Sequence, residues 1–525
     1  METRTNREMN KLLVLVLSLL VMVCMLPVSA FADNNGTITA SGIEKGATVK
    51  AYQIVKQKAD GDWEAVVENS IKDPTKPTAA EITALASNTS GLTAIDMEEG
   101  TVETTSDGVV VVDYTKAGLE AGMYLVLVEK ADSDFVYNPM IISVNYDNDG
   151  KLDGGSVNAD SQFTVGDETA YAKRTKPSVD KKITGKVEND NVTGDSTTQG
   201  DTLKEGDEVS FEITTTIPAY SAAYDNEHLM FEISDTVSAG LDDPTNIVVS
   251  DANGPLTEGN EYTLEQTGKT FKIAFSKSYL LSDSAKSITV TYKSKLNADA
   301  TSGFDANTNK ATIEYSNTPT TTEDKDKTTY HYTFDIDGNV FGSMTGKEIV
   351  KVGVDATTGE LITAESSSTT TTTPLQGAKF GLYKVGDDAE AVAEVLTDVN
   401  GLMTFKRLDA GEYYLKELQA PAGYKTDSTQ VPVSIKAELN TDGTLKSYSI
   451  TINGENTTTY TANNSGPETT VDMTGDTSLF NNYKAGALPS TGGSGIYFYI
   501  AAGLILIGLA IVVYVYNRRR EARDN

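Results

Sequence analysis

Short runs of alternating apolar and polar residues recur through the body of the chain. Val209-Ser210-Phe211-Glu212-Ile213, Ser287-Ile288-Thr289-Val290-Thr291-Tyr292 and Ala311-Thr312-Ile313-Glu314-Tyr315 each put apolar side chains on one face and polar ones on the other. That two-residue period predicts half-buried β-strands. The runs are rich in Thr, Val, Ile and Tyr, with Gly, Asn and Asp between them to supply turns. One stretch departs from the pattern. Thr78-Ala79-Ala80-Glu81 has the residues of a capping box and predicts a helix running to about Ala86.

Strand spacing and turn density predict an all-β chain of tandem immunoglobulin-like β-sandwiches. At roughly 150 residues per domain, 525 residues allow about three or four units. We place boundaries near 172 and 323, giving units 33–172, 173–323 and 324–487. The second boundary lies in Thr318-Pro319-Thr320-Thr321-Thr322-Glu323, read as a polar stretch unable to pack. The Ser366–Pro374 run reads as a loop inside the third unit. The lone Trp63 reads as core packing.

The two ends place the chain in its compartment. Arg4, Arg7 and Lys11 precede an apolar run from Leu12 to Leu26 and then small residues, which predicts a secretory signal peptide over 1–32. At the other end Ile496 to Tyr516 is apolar over about the length of a transmembrane helix, and Arg518-Arg519-Arg520 follows. Just before it stands Leu488-Pro489-Ser490-Thr491-Gly492-Gly493. This segment, with the apolar span and the basic tail behind it, resembles the LPxTG sorting signal of Gram-positive surface proteins. The unit 488–525 is therefore expected to be cut by a sortase between Thr491 and Gly492, with the Thr491 acyl group passed to an amine.

Composition narrows the function. The formal net charge is −32. Without the signal and residues 492–525, 36 basic residues face 71 acidic ones, a net of −35. Such a surface repels phosphate backbones and argues against nucleic-acid binding. One Cys, inside the signal, and two His leave no inventory for a disulfide framework, a zinc site or a Cys–His nucleophile. Asp147-Asn148-Asp149-Gly150 and Asp335-Ile336-Asp337-Gly338 read as turns rather than cation loops. We expect no metal and no cofactor. An exported chain without disulfides must be stabilised in another way.

Four segments point to one family. Tyr413-Tyr414-Leu415-Lys416-Glu417-Leu418-Gln419-Ala420-Pro421-Ala422-Gly423-Tyr424 resembles the E-box, YxLxETxAPxGY, of sortase-assembled pilins and Cna B-type domains. Leu375-Gln376-Gly377-Ala378-Lys379-Phe380-Gly381-Leu382-Tyr383 resembles the LxGAxFxLY strand of the same domain. Phe231-Glu232-Ile233-Ser234-Asp235-Thr236 with Gly240-Leu241 resembles the catalytic-Asp strand of Cna A-type pilin domains. Tyr171-Ala172-Lys173-Arg174 sits where the pilin motif, often YPKN, stands, but it lacks the Pro and the Asn. The whole resembles a major (backbone) pilin of Gram-positive sortase-assembled pili.

That resemblance implies intramolecular Lys–Asn isopeptide crosslinks formed beside a carboxyl group. Burial would deprotonate the Lys and protonate the acid, and the fold would supply proximity. Strand parity selects participants. Lys181 shares a face with Val179 and Ile183, and Asn317 shares one with Ile313 and Tyr315, so Lys181 is expected to join Asn317 under Asp235. In the third unit Lys351 is expected to join Asn481 or Asn482 under Glu417, with the parity of Leu479 favouring Asn481. In the first unit Ala121–Glu129 echoes Ala410–Glu417 with Val128 at the Glu417 position, so no crosslink is expected there.

The implied function is structural: a pilus shaft subunit that supports adhesion, with no enzymatic activity beyond self-crosslinking. It is held on the membrane as a precursor, exported and wall-anchored, with Thr491 joined to Lys173 of the next subunit and Lys176 as the competing acceptor. Its implied partners are sortase, identical subunits, peptidoglycan, accessory pilins and host matrix proteins. The alternative is a wall-anchored monomeric adhesin or minor pilin. Only Tyr483-Lys484-Ala485-Gly486-Ala487 precedes LPSTGG, too short a stalk to cross a wall, which favours the shaft.

Overall fold

The computed structural model describes most residues between 36 and 483, apart from short internal segments, chiefly 147–163, 186–190, 338–348, 355–375 and 464–469. Residues 1–35, which include the expected signal segment 1–32, and almost all of 484–525, including the LPSTGG motif and the apolar span, lie outside the described residues, as does Asp147–Gly150. The regular elements of the described chain are almost all strands.

The first domain is one ten-stranded sheet. Its centre runs Gly122–Glu129, Met140–Val144, Thr164–Asp167, Thr169–Tyr171, Gly36–Glu44 and Val110–Leu119. Ile38, Ala40, Tyr124, Val126, Met140 and Ile142 fill one core. The alternate residues Leu125 and Ile141 face the other way, where the helix Ala79–Ser87 packs through Ile82 and Leu85. The capping box is present: Glu81 N–H donates to Thr78 Oγ1, and Thr78 N–H donates to Glu81 Oε2. Trp63 packs on Tyr146, ring centroids 4.8 Å apart.

The middle domain is a two-sheet sandwich. One sheet is ordered Val179–Ile183, Glu208–Ile217, Lys286–Lys295, Thr245–Asp251 and Gly254–Pro255. The other is ordered Gly200–Thr202, Thr322–Tyr332, Asn307–Ser316, Phe231–Val237, Thr270–Phe275 and Tyr262–Thr267. Phe211, Ile213, Ile233, Phe271, Val290, Tyr292, Ala311 and Ile313 interdigitate between them and are fully or almost fully buried.

Two expectations about boundaries are corrected. Thr322–Tyr332 pairs with Asn307–Ser316 along its whole length, from Ser316↔Thr322 to Asn307↔His331, so the middle domain extends to about 332 rather than 323. The polar stretch is a packed turn, because its hydroxyls satisfy its own backbone: Thr318 Oγ1 accepts from Thr320 N and Thr321 N. The middle domain also lends a strand to the third. Val192–Gly194 pairs in parallel with the 437–439 end of Val431–Leu439.

The third domain is built on an eight-stranded sheet, whose main path runs Ala393–Leu396, Lys379–Lys384, Gly411–Gln419, Val431–Leu439, Leu445–Ile452, Asn456–Asn463 and Thr470–Thr474. Two short pairs cover it: Phe334–Asp337 with Thr404–Leu408, and Ile349–Val354 with Ser478–Tyr483. Asp335–Asp337 is thus a strand, not a turn. The Asp335 carboxylate accepts from Ser302 Oγ at 2.7 Å and from Arg407 N at 2.8 Å.

The middle and third domains are clamped together. Gly200 lies against Gly443 so closely that a Cβ there would sit 2.1 Å from the Gly443 carbonyl oxygen. Thr202 Oγ1 donates to Asp409, Arg407 pairs with Glu205 at 2.6 Å, and Leu445 N donates to Tyr332 Oη at 2.9 Å.

Candidate functional site

The strand Val179–Ile183 carries Lys181 inward, as its parity requires, and the side chain is 0% exposed. Opposite, on the second sheet, Asp235 and Asn309 project from adjacent strands, Phe231–Val237 and Asn307–Ser316. Tyr292 comes from Lys286–Lys295. The Lys181 ammonium donates to Asp235 Oδ2, to Tyr292 Oη and, at 2.8 Å, to Asn309 Oδ1. Asn309 Nδ2 donates to Tyr292 Oη at 2.9 Å. Phe211 and Tyr292 rings lie 5.2 Å from Nζ, and Phe271 stands edge-on to Tyr292.

This apolar box sets the protonation chemistry. Burial pushes the Lys181 amine down to about 8, against the opposing pull of Asp235. Burial pushes the Asp235 carboxyl up, against the opposing pull of Lys181. Both shifts favour the neutral amine and neutral acid. Asp235 Oδ1 has no hydrogen-bond partner, which also suits a protonated carboxyl better than a buried carboxylate.

The expected partner Asn317 is elsewhere. It lies beyond the end of its strand, and its Nδ2 donates to the carbonyls of Lys130, Ala131 and Ser133 in the first domain. Asn317 is buried because the first domain covers it. Sequence parity alone could not separate it from Asn309, which lies on the same strand face nearer Lys181. Asn309 was missed, although it sits on the alternation of Ala311, Ile313 and Tyr315.

In the third domain Glu417 is buried, and its Oε2 accepts from Asp427 N at 2.8 Å, tying the loop after the E-box to the strand. Glu417 is opposite Phe380, whose ring meets Phe480 at 5.9 Å. The register pairs Lys351 with Phe480 and Val352 with Asn481. Phe480 packs on the core. Along the strand, Asn482 shares the parity of Phe480 and Asn481 that of Leu479. In the first domain Val128 is buried in the core at the position echoing Glu417.

Lys173 follows the strand Thr169–Tyr171 and is exposed. Its carbonyl accepts from Asn138 N at 3.0 Å, and it makes no ion pair among the described residues. Lys176 is engaged: it pairs with Asp134 at 2.8 Å, and Lys325 holds the other oxygen at 2.9 Å. Those two cations hold the Asp134 carboxyl below its usual value. Tyr171 of the same segment is 71% exposed, and its backbone holds the segment by pairing in parallel with Gly36–Glu44.

Comparison with known proteins follows the same division. Family models match at residues 33–174 (T6 antigen Ig like domain), 195–329 (Sgo0707 N2 domain), 361–449 (prealbumin-like fold domain) and 481–522 (LPXTG cell wall anchor motif). The trypsin-resistant surface T6 protein of Streptococcus pyogenes serotype M6 is 27% identical over 555 aligned residues, covering 94% of this chain and 97% of that protein. The collagen adhesin of Staphylococcus aureus is 25% identical over 183 residues, 34% of this chain and 14% of the adhesin. The solved T6 backbone pilin of Streptococcus pyogenes serotype M6, described as a modular three-domain structure, superposes with a TM-score of 0.54 at 21% identity, covering 86% of this chain and 99% of that one. Three strand-built domains in this order ahead of a wall-anchor signal make the chain similar, over most of its length, to the major (backbone) pilins of Gram-positive, cell-wall-anchored pili.

Proposed function

We propose that this chain is a pilin joined head to tail by sortase, through the Thr491 acyl group and the Lys173 amine of the next subunit, and braced by two self-formed Lys–Asn isopeptide bonds. Heterologous end-to-end joining generates an open fibre, as a shaft requires. Lys173 suits the acceptor role because it is exposed and unpaired by any carboxylate among the described residues, whereas Lys176 is held by Asp134.

The observation that carries the bracing is the buried set Lys181, Asp235 and Asn309. Asp235 takes a proton from the Lys181 ammonium. The neutral amine attacks the Asn309 side-chain carbonyl carbon, a C–N bond forms, and the amide nitrogen leaves as ammonia. The product ties Val179–Ile183 to Asn307–Ser316 across the sandwich. In the third domain Lys351 and Asn482 take the same roles under Glu417. The catalysis is self-limited: each subunit reacts once and turns over no external substrate.

Intact mass of the exported domains tests the bracing, with two ammonias missing as the expected result. Gel analysis of wall extracts tests the polymer. A ladder of covalent species is expected; a single band would favour a wall-anchored adhesin, the reading that the partial likeness to a collagen adhesin suggests. Accessory pilins and host matrix proteins would then be sought as partners of the assembled shaft.

A further inference from the structure

The Asp235 carboxylate reaches the nucleophile, but the leaving group has a different neighbour. Asp235 Oδ2 is bonded to Lys181 Nζ, while Asn309 Nδ2, the nitrogen that must depart, donates to Tyr292 Oη at 2.9 Å. The same Tyr292 oxygen accepts from Lys181 Nζ. Asp235 Oδ2 and the Tyr292 oxygen thus meet on the same amine. One hydroxyl therefore touches both the nucleophile and the leaving group, which fills the two acceptor positions that a phenol has.

We propose that Tyr292 is a further catalytic residue of the middle domain's crosslink, passing a proton from the attacking nitrogen to the departing one. This rests on the Lys181–Asn309 reading above. As the new C–N bond forms, Nζ must lose its second proton, and Nδ2 must gain one before the old C–N bond breaks. The Tyr292 hydroxyl gives its proton to Nδ2 and recovers one from Nζ. Lysine amine and asparagine amide become a secondary amide and ammonia, and Tyr292 and Asp235 end as they began. Burial holds the phenol well above its usual value, so the hydroxyl stays protonated until the leaving nitrogen takes its proton. An aromatic residue needed for packing alone would do as Phe, which keeps the ring that meets Phe211 and Phe271 at centroid distances of 5.1 and 5.0 Å.

The test follows ammonia loss over time by intact mass after refolding, in the wild type, Tyr292→Phe and Asp235→Asn. General acid–base assistance is worth about 100- to 10,000-fold. Tyr292→Phe is expected to keep the fold by circular dichroism and to lose ammonia from the middle domain at least about 100-fold more slowly than the wild type. Wild-type crosslinking in Tyr292→Phe overturns the assignment while leaving the crosslink reading intact. A wild-type middle domain that retains its full mass removes both. If Tyr292→Phe does not fold, Tyr292→3-fluorotyrosine, which keeps the shape and makes the phenol more acidic, decides: an altered rate and pH profile support the role, and an unaltered profile overturns it.

Discussion

Lys181 Nζ lies 2.8 Å from Asn309 Oδ1, at the end of a strand pairing that also brings Asp235 onto the same amine. Asn317, just past the end of the same strand, instead holds the first domain to the second. The two asparagines look alike in sequence and do different jobs.

Asn309→Ala should restore one ammonia to the intact mass, whereas Asn317→Ala should leave the mass short by two. Asn317→Ala leaves three backbone carbonyls of the first domain without this donor and should cost about 1–3 kcal/mol at that interface. Calorimetry that resolves the first domain's transition checks it.

The uncrosslinked Asn309→Ala variant should gain stability as pH rises. Its Lys181 is pushed from 10.5 to about 8 in the fold, so between those values the unfolded chain binds more protons. Unfolding free energy therefore climbs with pH across that window. The crosslinked wild type has no Lys181 proton to bind in either state and should climb less. Denaturant melts at both ends of the window provide the comparison.

Glu417→Ala should stop the third domain's crosslink and restore one ammonia. Asn482→Ala should do the same, and Asn481→Ala should not, because Asn482 shares the alternation of Lys351 and Phe480. Loss of such a staple should lower stability by about 2–4 kcal/mol. Peptide mapping of the crosslinked fragment identifies the residue.

Lys173→Ala should abolish the polymer ladder and leave a folded, internally crosslinked, wall-anchored monomer. Lys176→Ala should leave the ladder intact but break the Asp134 pairing, a partly exposed contact worth at most about 1 kcal/mol. Ladder formation in Lys173→Ala would move the acceptor elsewhere.

Gly200→Val should loosen the clamp between the middle and third domains, since even a Cβ at 200 overlaps the Gly443 carbonyl. Small-angle scattering should show a longer, more flexible pair, and protease should cut near 195–200 faster than in the wild type.

The sequence by itself determined the strands, the helix cap at Thr78 and the three-domain order, because alternation and capping are read from neighbouring residues. It also determined the inward face of Lys181, since parity along one strand is local, and the carboxyls at Asp235 and Glu417, since each sits in a motif. Tertiary structure decided which asparagine meets Lys181. Asn309 and Asn317 lie on the same strand face, and only the offset between two sheets decides which one comes opposite the lysine. It also brought Phe480 of Ser478–Tyr483 onto Phe380, a contact between strands about 100 residues apart that no local pattern displays. The middle domain's reach to 332 was hidden for the same reason. A polar stretch looks like a linker until its hydrogen bonds are seen to close a turn and return the chain to the sheet. Tyr292 looked like one more core aromatic, because what marks its hydroxyl is the company of two side chains from two other strands.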